Sequence, residues 1–104
     1  MKVVVVTACP TGIAHTYMAA EKLTEAALLQ GYDVKVETQG AMGIENEITP
    51  LDIKEADIAL FAVDIAVEGE DRFDTLKVVK VPVAEAIRNP DAVMTQLGRS
   101  VSAS

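Results

Sequence analysis

The sequence predicts an α/β fold with an open, four-stranded, mainly parallel sheet flanked by helices. Four short segments rich in β-branched and apolar residues alternate with helical patterns, and glycine or proline marks most of the borders between them. This alternation is typical of parallel sheets with helical connections. The chain has 104 residues, the length of one domain. We assign the domain to residues 1–98 and expect a flexible tail at residues 99–104.

The predicted strands differ in their patterns. Residues 2–7 and 57–63 are nearly unbroken apolar runs, which are typical of strands buried on both faces. Residues 33–38 alternate between polar and apolar side chains, as a strand does when its two faces differ. Residues 77–82 form the fourth strand, after an acidic and irregular segment at residues 64–76.

The first predicted helix spans residues 13–30 and ends where Gly31 occupies the usual glycine position after a helix. We expect one apolar face on this helix, made of Ile13, Tyr17, Ala20, Ala27 and Leu28.

Three shorter helices follow. Thr49 and the proline after it predict the start of a helix over residues 50–56. Residues 83–88 form one or two helical turns. Asn89-Pro90 starts a last helix that runs to about Leu97.

Charge is distributed unevenly along the chain, which has a net charge of −7. Residues 37–74 hold eleven acidic residues against two basic ones and predict a solvated acidic face, whereas residues 1–20 contain no acid. This charge argues against a nucleic-acid partner, because binding to phosphate backbones requires clustered lysine and arginine.

The segment ACPTGIAHT, residues 8–16, contains the only cysteine, Cys9, and the only histidine, His15. One cysteine forms no internal disulfide, which indicates a reducing compartment, and we expect the cytoplasm. We predict neither a metal nor another cofactor. The two soft ligands are too few for zinc, and the acidic run lacks the spacing of a calcium loop.

The loop after the first strand has the chemistry of an anion site. Strand-to-helix loops direct backbone N–H groups at one point, and the helix N-terminus adds partial positive charge. Gly12 permits a close approach of backbone and ligand, and Thr11 and Thr16 can add hydroxyl donors. The same field favours the thiolate of Cys9. The loop therefore predicts a site where sulfur carries a phosphoryl group.

Four alternatives to a carrier remain open at this point. A low-molecular-weight cysteine phosphatase uses a similar loop, but needs an arginine where this chain has His15, with Asp64 as a conceivable general acid. A thiol-redox protein would usually have a second cysteine where Gly12 stands. A binding module without catalysis, or an inert buried cysteine, is the simplest interpretation.

Several segments resemble the fructose-family enzyme IIB component of the bacterial phosphoenolpyruvate-dependent sugar phosphotransferase system. The most specific is TACPTGIAHTYMAAEKL, and the resemblance continues through KVETQGAMGIEN and ITPLDIKEADIALFAVDIAV to VPVAEAI. It covers the chain to about residue 88.

The resemblance implies a Rossmann-like sheet with a phosphatase-like loop after strand one. It also implies a phosphohistidine–sugar phosphotransferase. Its cysteine, matching Cys9, accepts a phosphoryl group from a histidine of component IIA and passes it to a fructose-like sugar in membrane component IIC. The chain would work at the membrane through IIC, either as a free-standing subunit or as a domain of a longer polypeptide. The family's phosphate loop matches Pro10, Thr11, Gly12, Ile13, Ala14, His15 and Thr16.

The resemblance also makes the surroundings of Cys9 the docking surface for both partners. We expect an acid-free rim there that presents apolar side chains from Ile13, Tyr17 and Met42, with Ile44 close by.

Overall fold

The computed structural model describes residues 1–10 and 14–102, and within them five strands form one sheet. The strands are β1 (Lys2–Ala8), β2 (Asp33–Gly40), β3 (Gly43–Glu45), β4 (Ile58–Val63) and β5 (Val78–Val81). Their order is β3-β2-β1-β4-β5, with β3 antiparallel to β2 and all other pairs parallel. The predicted α/β class and its mainly parallel sheet are therefore confirmed.

One face of the sheet is covered by three helices: α1 (Ala14–Leu29), α3 (Val83–Arg88) and α4 (Pro90–Ser102). Alternate residues of β1 point to this face, where Val3 and Val5 pack with Leu23 of α1 and with Met94 and Leu97 of α4. Because successive strand residues point to opposite faces, the other residues of β1 contribute side chains to a second core on the opposite face of the sheet.

The opposite face is covered by α2 (Pro50–Glu55) and a 3₁₀ turn at Glu70–Phe73. Val4 and Val6 of β1 pack there with Phe61 and Phe73. The two phenyl rings meet edge to face with centroids 5.0 Å apart, which adds a directional contact to apolar burial. A central strand with two covered faces explains the unbroken valine run.

The helix ends follow the predicted signals. After α1, Gly31 has φ 77°, its N–H donates to the carbonyl of Leu28, and Tyr32 N–H donates to that of Ala27. These two bonds form a Schellman motif. Before α2, the Thr49 hydroxyl accepts from the N–H of Asp52, whose carboxylate accepts from Thr49 in return. This capping box confirms the predicted start of α2.

Three details differ from the sequence prediction. The loop after β2 contains the additional short strand β3. The buried face of α1 consists of Thr16, Ala19, Leu23, Ala26 and Ala27, whereas the predicted Leu28 is 61% exposed. Helix α4 continues to Ser102, beyond the predicted end near residue 97. The limits of the domain and the flexibility of residues 99–104 stay predictions.

Across residues 1–10 and 14–102, we find no helix that combines the length and the apolar character needed to cross a bilayer.

Candidate active site

Cys9 directly follows β1 at the carboxyl edge of the sheet. There Ala8 pairs in register with Gln39 of β2 on one side and with Val63 of β4 on the other. The chain leaves β1 towards β2 but leaves β4 towards β5, in the opposite direction. In open α/β sheets such diverging connections leave a crevice at the carboxyl ends of the strands, where ligands bind. The fold therefore places the cysteine at the position predicted from the sequence.

A cavity of about 310 Å³ opens beside Cys9, which is 8% exposed. Its walls come from the loop after β1, from the β2–β3 hairpin and from the segment that follows β4. The described lining residues are Cys9, Pro10, Gln39, Gly40, Ala41, Gly43, Ile44, Ile65, Ala66 and Glu68. The volume is at the lower end of the range for small-molecule sites.

The rim of this cavity contains an acidic residue, whereas the sequence predicted an acid-free rim. Glu68 lines it, because the segment after β4 returns to the edge where β1 ends. The prediction considered only the acid-free stretch around Cys9 and could not include this distant wall. Tyr17 lines a different groove, between α1 and the β2–β3 hairpin.

The predicted phosphate loop is described in part. Pro10 is exposed and lines the cavity. The next three residues of the predicted loop lie outside the described residues: Thr11, Gly12 and Ile13. Helix α1 begins at Ala14, and its first turn contains no acidic side chain. Thr16 is fully buried there, and its hydroxyl has no hydrogen-bond partner within the described residues. A buried hydroxyl in this condition can still accept a partner, since leaving it unpaired is unfavourable.

His15 and Asp64 line a second cavity, of about 350 Å³. The other lining residues are Met18, Val83, Ala84, Ile87 and Arg88. The Asp64 carboxylate accepts a hydrogen bond from the N–H of Val83, 3.2 Å away, at the first turn of α3. This contact gives Asp64 a structural task at the start of a helix.

A buried ion pair supports the wall of the Cys9 cavity. Glu37 of β2 has no exposed surface and binds Arg72 through both carboxylate oxygens, with each N–O distance 2.9 Å. The guanidinium also donates to the carbonyls of Ile48, Glu68 and Gly69. These five hydrogen bonds match its five N–H donors. Arg72 thereby fixes the segment after β4 against β2.

Glu37 stays charged in this setting. Burial alone would raise the pKa of Glu37, but hydrogen bonds from Arg72, from the N–H of Ile48 and from the Gln39 amide outweigh it. The pKa of the carboxyl therefore lies below its ordinary value. The sequence had assigned Glu37 to a solvated acidic face, which is wrong for this residue. Among the other ten acids of residues 37–74, nine are exposed and Asp52 is half-buried.

Comparison with known proteins decides the family. Residues 4–96 match the family described as the lactose/cellobiose-specific IIB subunit of the phosphotransferase system. The fructose-like EIIB component 2 of Escherichia coli K12 is 47% identical over 96 residues, which cover 92% of this chain and 91% of that protein. The chain belongs to the fructose-like IIB components of the sugar phosphotransferase system. Component 3 of the same strain is 44% identical over 96% of this IIB chain and 88% of its own length.

Solved structures agree with this assignment. A domain of a fructose-specific IIABC component from Borrelia burgdorferi has a TM-score of 0.87 at 46% identity, covering 91% of this IIB chain and 90% of that domain. A fructose-specific IIB from Escherichia coli has a TM-score of 0.92 at 42% identity, covering 97% of this chain and 89% of its own. The predicted resemblance is confirmed.

The β2–β3 hairpin of this IIB chain is also fixed to α1. The Tyr17 hydroxyl donates to the Glu45 carboxylate, with an O–O distance of 2.5 Å. This bond, followed by burial and by the negative charge of Glu45, raises the pKa of Tyr17 above its ordinary value. Between the two ends of the hairpin, Met42 is 79% exposed and Ile44 is 38% exposed.

Sequence reasoning missed Gln39, Glu68 and Arg72, which line or support the Cys9 cavity. One signal was available for Arg72, because it is one of only two cations among the eleven acids of residues 37–74. An isolated arginine in an acidic segment often has a specific carboxylate partner. Nothing in the local pattern identified that partner as Glu37.

Proposed function

We propose that Cys9 carries the phosphoryl group between component IIA and the sugar bound in membrane component IIC. The observation that supports this most is the place of Cys9, in a cavity at the diverging strand connections and just before the N-terminus of α1. That position suits a thiolate and an anion, because the helix N-terminus stabilises both. The proposal includes a cytoplasmic location, beside IIC.

Two displacements at phosphorus make up the reaction. In the first, the Cys9 thiolate attacks the phosphohistidine of IIA. The S–P bond forms while the P–N bond breaks, and the ring nitrogen keeps the electron pair. In the second, a hydroxyl oxygen of the fructose-like sugar attacks phosphorus, and its proton passes to solvent. The O–P bond forms while the S–P bond breaks, and sulfur keeps the electron pair as a thiolate. Both steps rely on positioning and on stabilising charge at the phosphoryl oxygens.

The phosphate loop, Pro10 to Thr16, supplies the donors in this proposal. Backbone N–H groups of residues 11–15 would hold the phosphoryl oxygens, with Thr11 and Thr16 hydroxyls as further donors. The Thr16 hydroxyl is buried and has no hydrogen-bond partner among residues 1–10 and 14–102, which supports its part as a donor. His15, which belongs to the predicted phosphate loop but lies in the first turn of α1, has no assigned step. In this proposal Pro10 and Gly12 would shape the loop so that the ligand can approach the backbone.

The partner surface would surround the mouth of the Cys9 cavity, because IIA and IIC must both reach the same sulfur. Three apolar side chains beside this cavity support the proposal: Met42, Ile44 and Ile65 are 79%, 38% and 42% exposed. Large apolar side chains grouped at a cleft are typical of interaction sites. A transient carrier interface is expected to bury less than about 1,200 Å².

The test is intact-mass measurement after incubation with phosphoenolpyruvate, the general phosphotransfer proteins and a fructose-type IIA. We expect the mass of one phosphoryl group, mapped to Cys9 and lost when IIC and sugar are added. The variant Cys9→Ser should fold like the wild type but gain no phosphoryl group that reaches sugar. Relay of phosphate to sugar by Cys9→Ser would show that the site is misassigned.

The same experiment separates the remaining alternatives. Absence of the mass gain together with hydrolysis of an aryl phosphate would favour a cysteine phosphatase. Absence of both would favour a thiol-redox protein, to be tested with a disulfide substrate, or else a binding module. Each of these outcomes would overturn the carrier proposal.

A further inference from the structure

We propose that the Gln39 side chain is a positioning residue that holds the two walls of the Cys9 cavity at a fixed separation during phosphoryl transfer. This inference rests on the proposed carrier function of Cys9. Gln39 lines the same cavity and is 7% exposed. It does not need to touch phosphorus, because its contacts run from one wall to the other.

Gln39 lies near the end of β2, beside the end of β1. In register it is the partner of Ala8, the residue before Cys9, and β4 pairs with Ala8 from the other side. The Gln39 amide reaches the segment after β4, where its oxygen accepts from the N–H of Glu68 at 2.9 Å and its nitrogen donates to the Glu68 carbonyl at 3.0 Å. One side chain therefore bridges β2 and the segment after β4, across the end of β1.

The Gln39 amide is itself held in place by further hydrogen bonds. Its nitrogen also donates to Glu37 at 2.7 Å, and Glu37 is fixed by both terminal nitrogens of Arg72. Arg72 in turn donates to the same Glu68 carbonyl that the amide binds, at 3.0 Å. The amide uses both donors and its oxygen, so that its rotamer is defined by partners on every side. Groups held in this way position a reaction site more accurately than a mobile loop does.

The Gln39 bridge controls the separation of two walls of the Cys9 cavity. The hairpin wall continues directly from Gln39 through Gly40 and Ala41, and the opposite wall is Ile65 to Glu68. Without the Gln39 bridge, the Glu37–Arg72 pair would still tie β2 to the Glu68 carbonyl, but the two hydrogen bonds between Gln39 and Glu68 at the cavity itself would be lost. A misplacement of about 1 Å can lower the rate of a positioned reaction by about 100-fold. The bridge is thus expected to matter for transfer more than for the reactivity of the thiol.

The experiment compares Gln39→Ala with the wild type in single-turnover transfer from phosphorylated IIA, over a range of IIA concentrations. We expect the maximal transfer rate to fall by about tenfold or more, with a smaller change in the half-saturating concentration. Alkylation of Cys9 by iodoacetamide should change by no more than about twofold, since thiol activation comes from the helix N-terminus. A purely structural role would leave the transfer rate of folded protein unchanged.

A matched control is Gln30→Ala, which removes the same side chain at an exposed position directly after α1, where it donates to Thr95 at 3.1 Å. This control should transfer like the wild type. Circular dichroism confirms that each variant is folded at the assay temperature. Should Gln39→Ala unfold, Gln39→Asn replaces it, because the shorter amide keeps a polar group but does not span to Glu68.

The outcomes separate the two proposals. A wild-type rate in folded Gln39→Ala or Gln39→Asn would overturn the positioning role and leave the carrier function intact. A large rise in half-saturating concentration at unchanged maximal rate would also overturn it, by assigning Gln39 to docking. Failure of the wild type itself to accept a phosphoryl group would overturn both.

Discussion

At the scale of single residues, Arg72 is the bidentate partner of the buried Glu37 carboxylate. Replacing it with methionine keeps most of the apolar stem but leaves Glu37 charged, buried and without its bidentate partner. Loss of one partner of a buried ion pair typically costs about 3–5 kcal/mol. Since the Arg72 side chain is 24% exposed, we expect Arg72→Met to lower the free energy of unfolding by about 3 kcal/mol, measured in urea.

A second substitution tests the cause of that loss. Glu37→Gln in the Arg72→Met background removes the uncompensated charge but keeps an oxygen that can accept from the N–H of Ile48. It should recover at least about 1 kcal/mol. If the double variant is no more stable than Arg72→Met, the loss comes from packing and not from the buried charge. The exposed pair Arg88–Glu85 provides a control, and Arg88→Met should change stability by less than about 1 kcal/mol.

Single residues differ in how far the sequence predicts them. The position of Cys9 was predictable, because an apolar run followed by turn residues fixes where the first strand ends. The burial of Glu37 was not, because its local pattern is that of any half-exposed strand. Its environment is created by Ile48 and Arg72, which are 11 and 35 residues away in the chain. Only the folded structure brings such partners together.

At the scale of elements, the 3₁₀ turn at Glu70–Phe73 depends on the glycine before it. Gly69 has φ 70°, and a Cβ there would lie 2.7 Å from Nε of Arg72. That nitrogen is held by the Gly69 carbonyl at 2.8 Å, so it cannot move without breaking the network. Gly69→Ala should therefore combine backbone strain of about 1–2 kcal/mol with a displaced guanidinium.

The matched control for this substitution is Gly31→Ala. Gly31 has φ 77°, but a Cβ there would meet nothing within 4 Å. It should show the backbone strain alone, so that Gly69→Ala is less stable than Gly31→Ala by at least about 1 kcal/mol in urea unfolding. In the Arg72→Met background the two costs should become similar. Equal costs in the wild-type background would mean that the turn accommodates the methyl group.

Elements were predictable where a strong local signal exists. The capping box before α2 and Gly31 after α1 mark helix ends with chemistry that is read directly from the sequence. The buried face of α1 was not predictable, because alanine and leucine occur around the whole helix and give no clear apolar stripe. The short strand β3 was missed for a related reason. It has three exposed residues and exists only because β2 offers it an edge.

At the scale of the whole molecule, two carboxyl groups couple stability to pH. Hydrogen bonds hold the pKa of Glu37 below its ordinary value despite burial. The N–H and hydroxyl of Thr49, with Lys2 and Lys35, hold the pKa of Asp52 well below its usual range. A group with a lowered pKa in the folded state stabilises the fold above its unfolded pKa. That contribution is lost as pH falls through the folded value.

The net charge of −7 determines how stability changes between neutral pH and about pH 5. Lowering the pH from neutrality towards the isoelectric point near 4.5 relieves repulsion among the exposed acids, so stability should first rise. Below the unfolded pKa values of 3.8 and 4.5, the contributions of Asp52 and Glu37 begin to be lost. We therefore expect stability to be highest near about pH 5 and to fall progressively as the pH is lowered further.

Urea unfolding at a series of pH values measures how the free energy of unfolding depends on pH. The variant Asp52→Asn tests whether Asp52 causes the loss of stability in acid. The variant should be less stable than the wild type at neutral pH, because it loses the attraction to Lys2 and Lys35. The gap should close as the wild-type carboxyl becomes protonated, so the two curves converge in acid. Parallel curves would contradict the assignment, because a group whose pKa is unchanged by folding contributes no pH dependence.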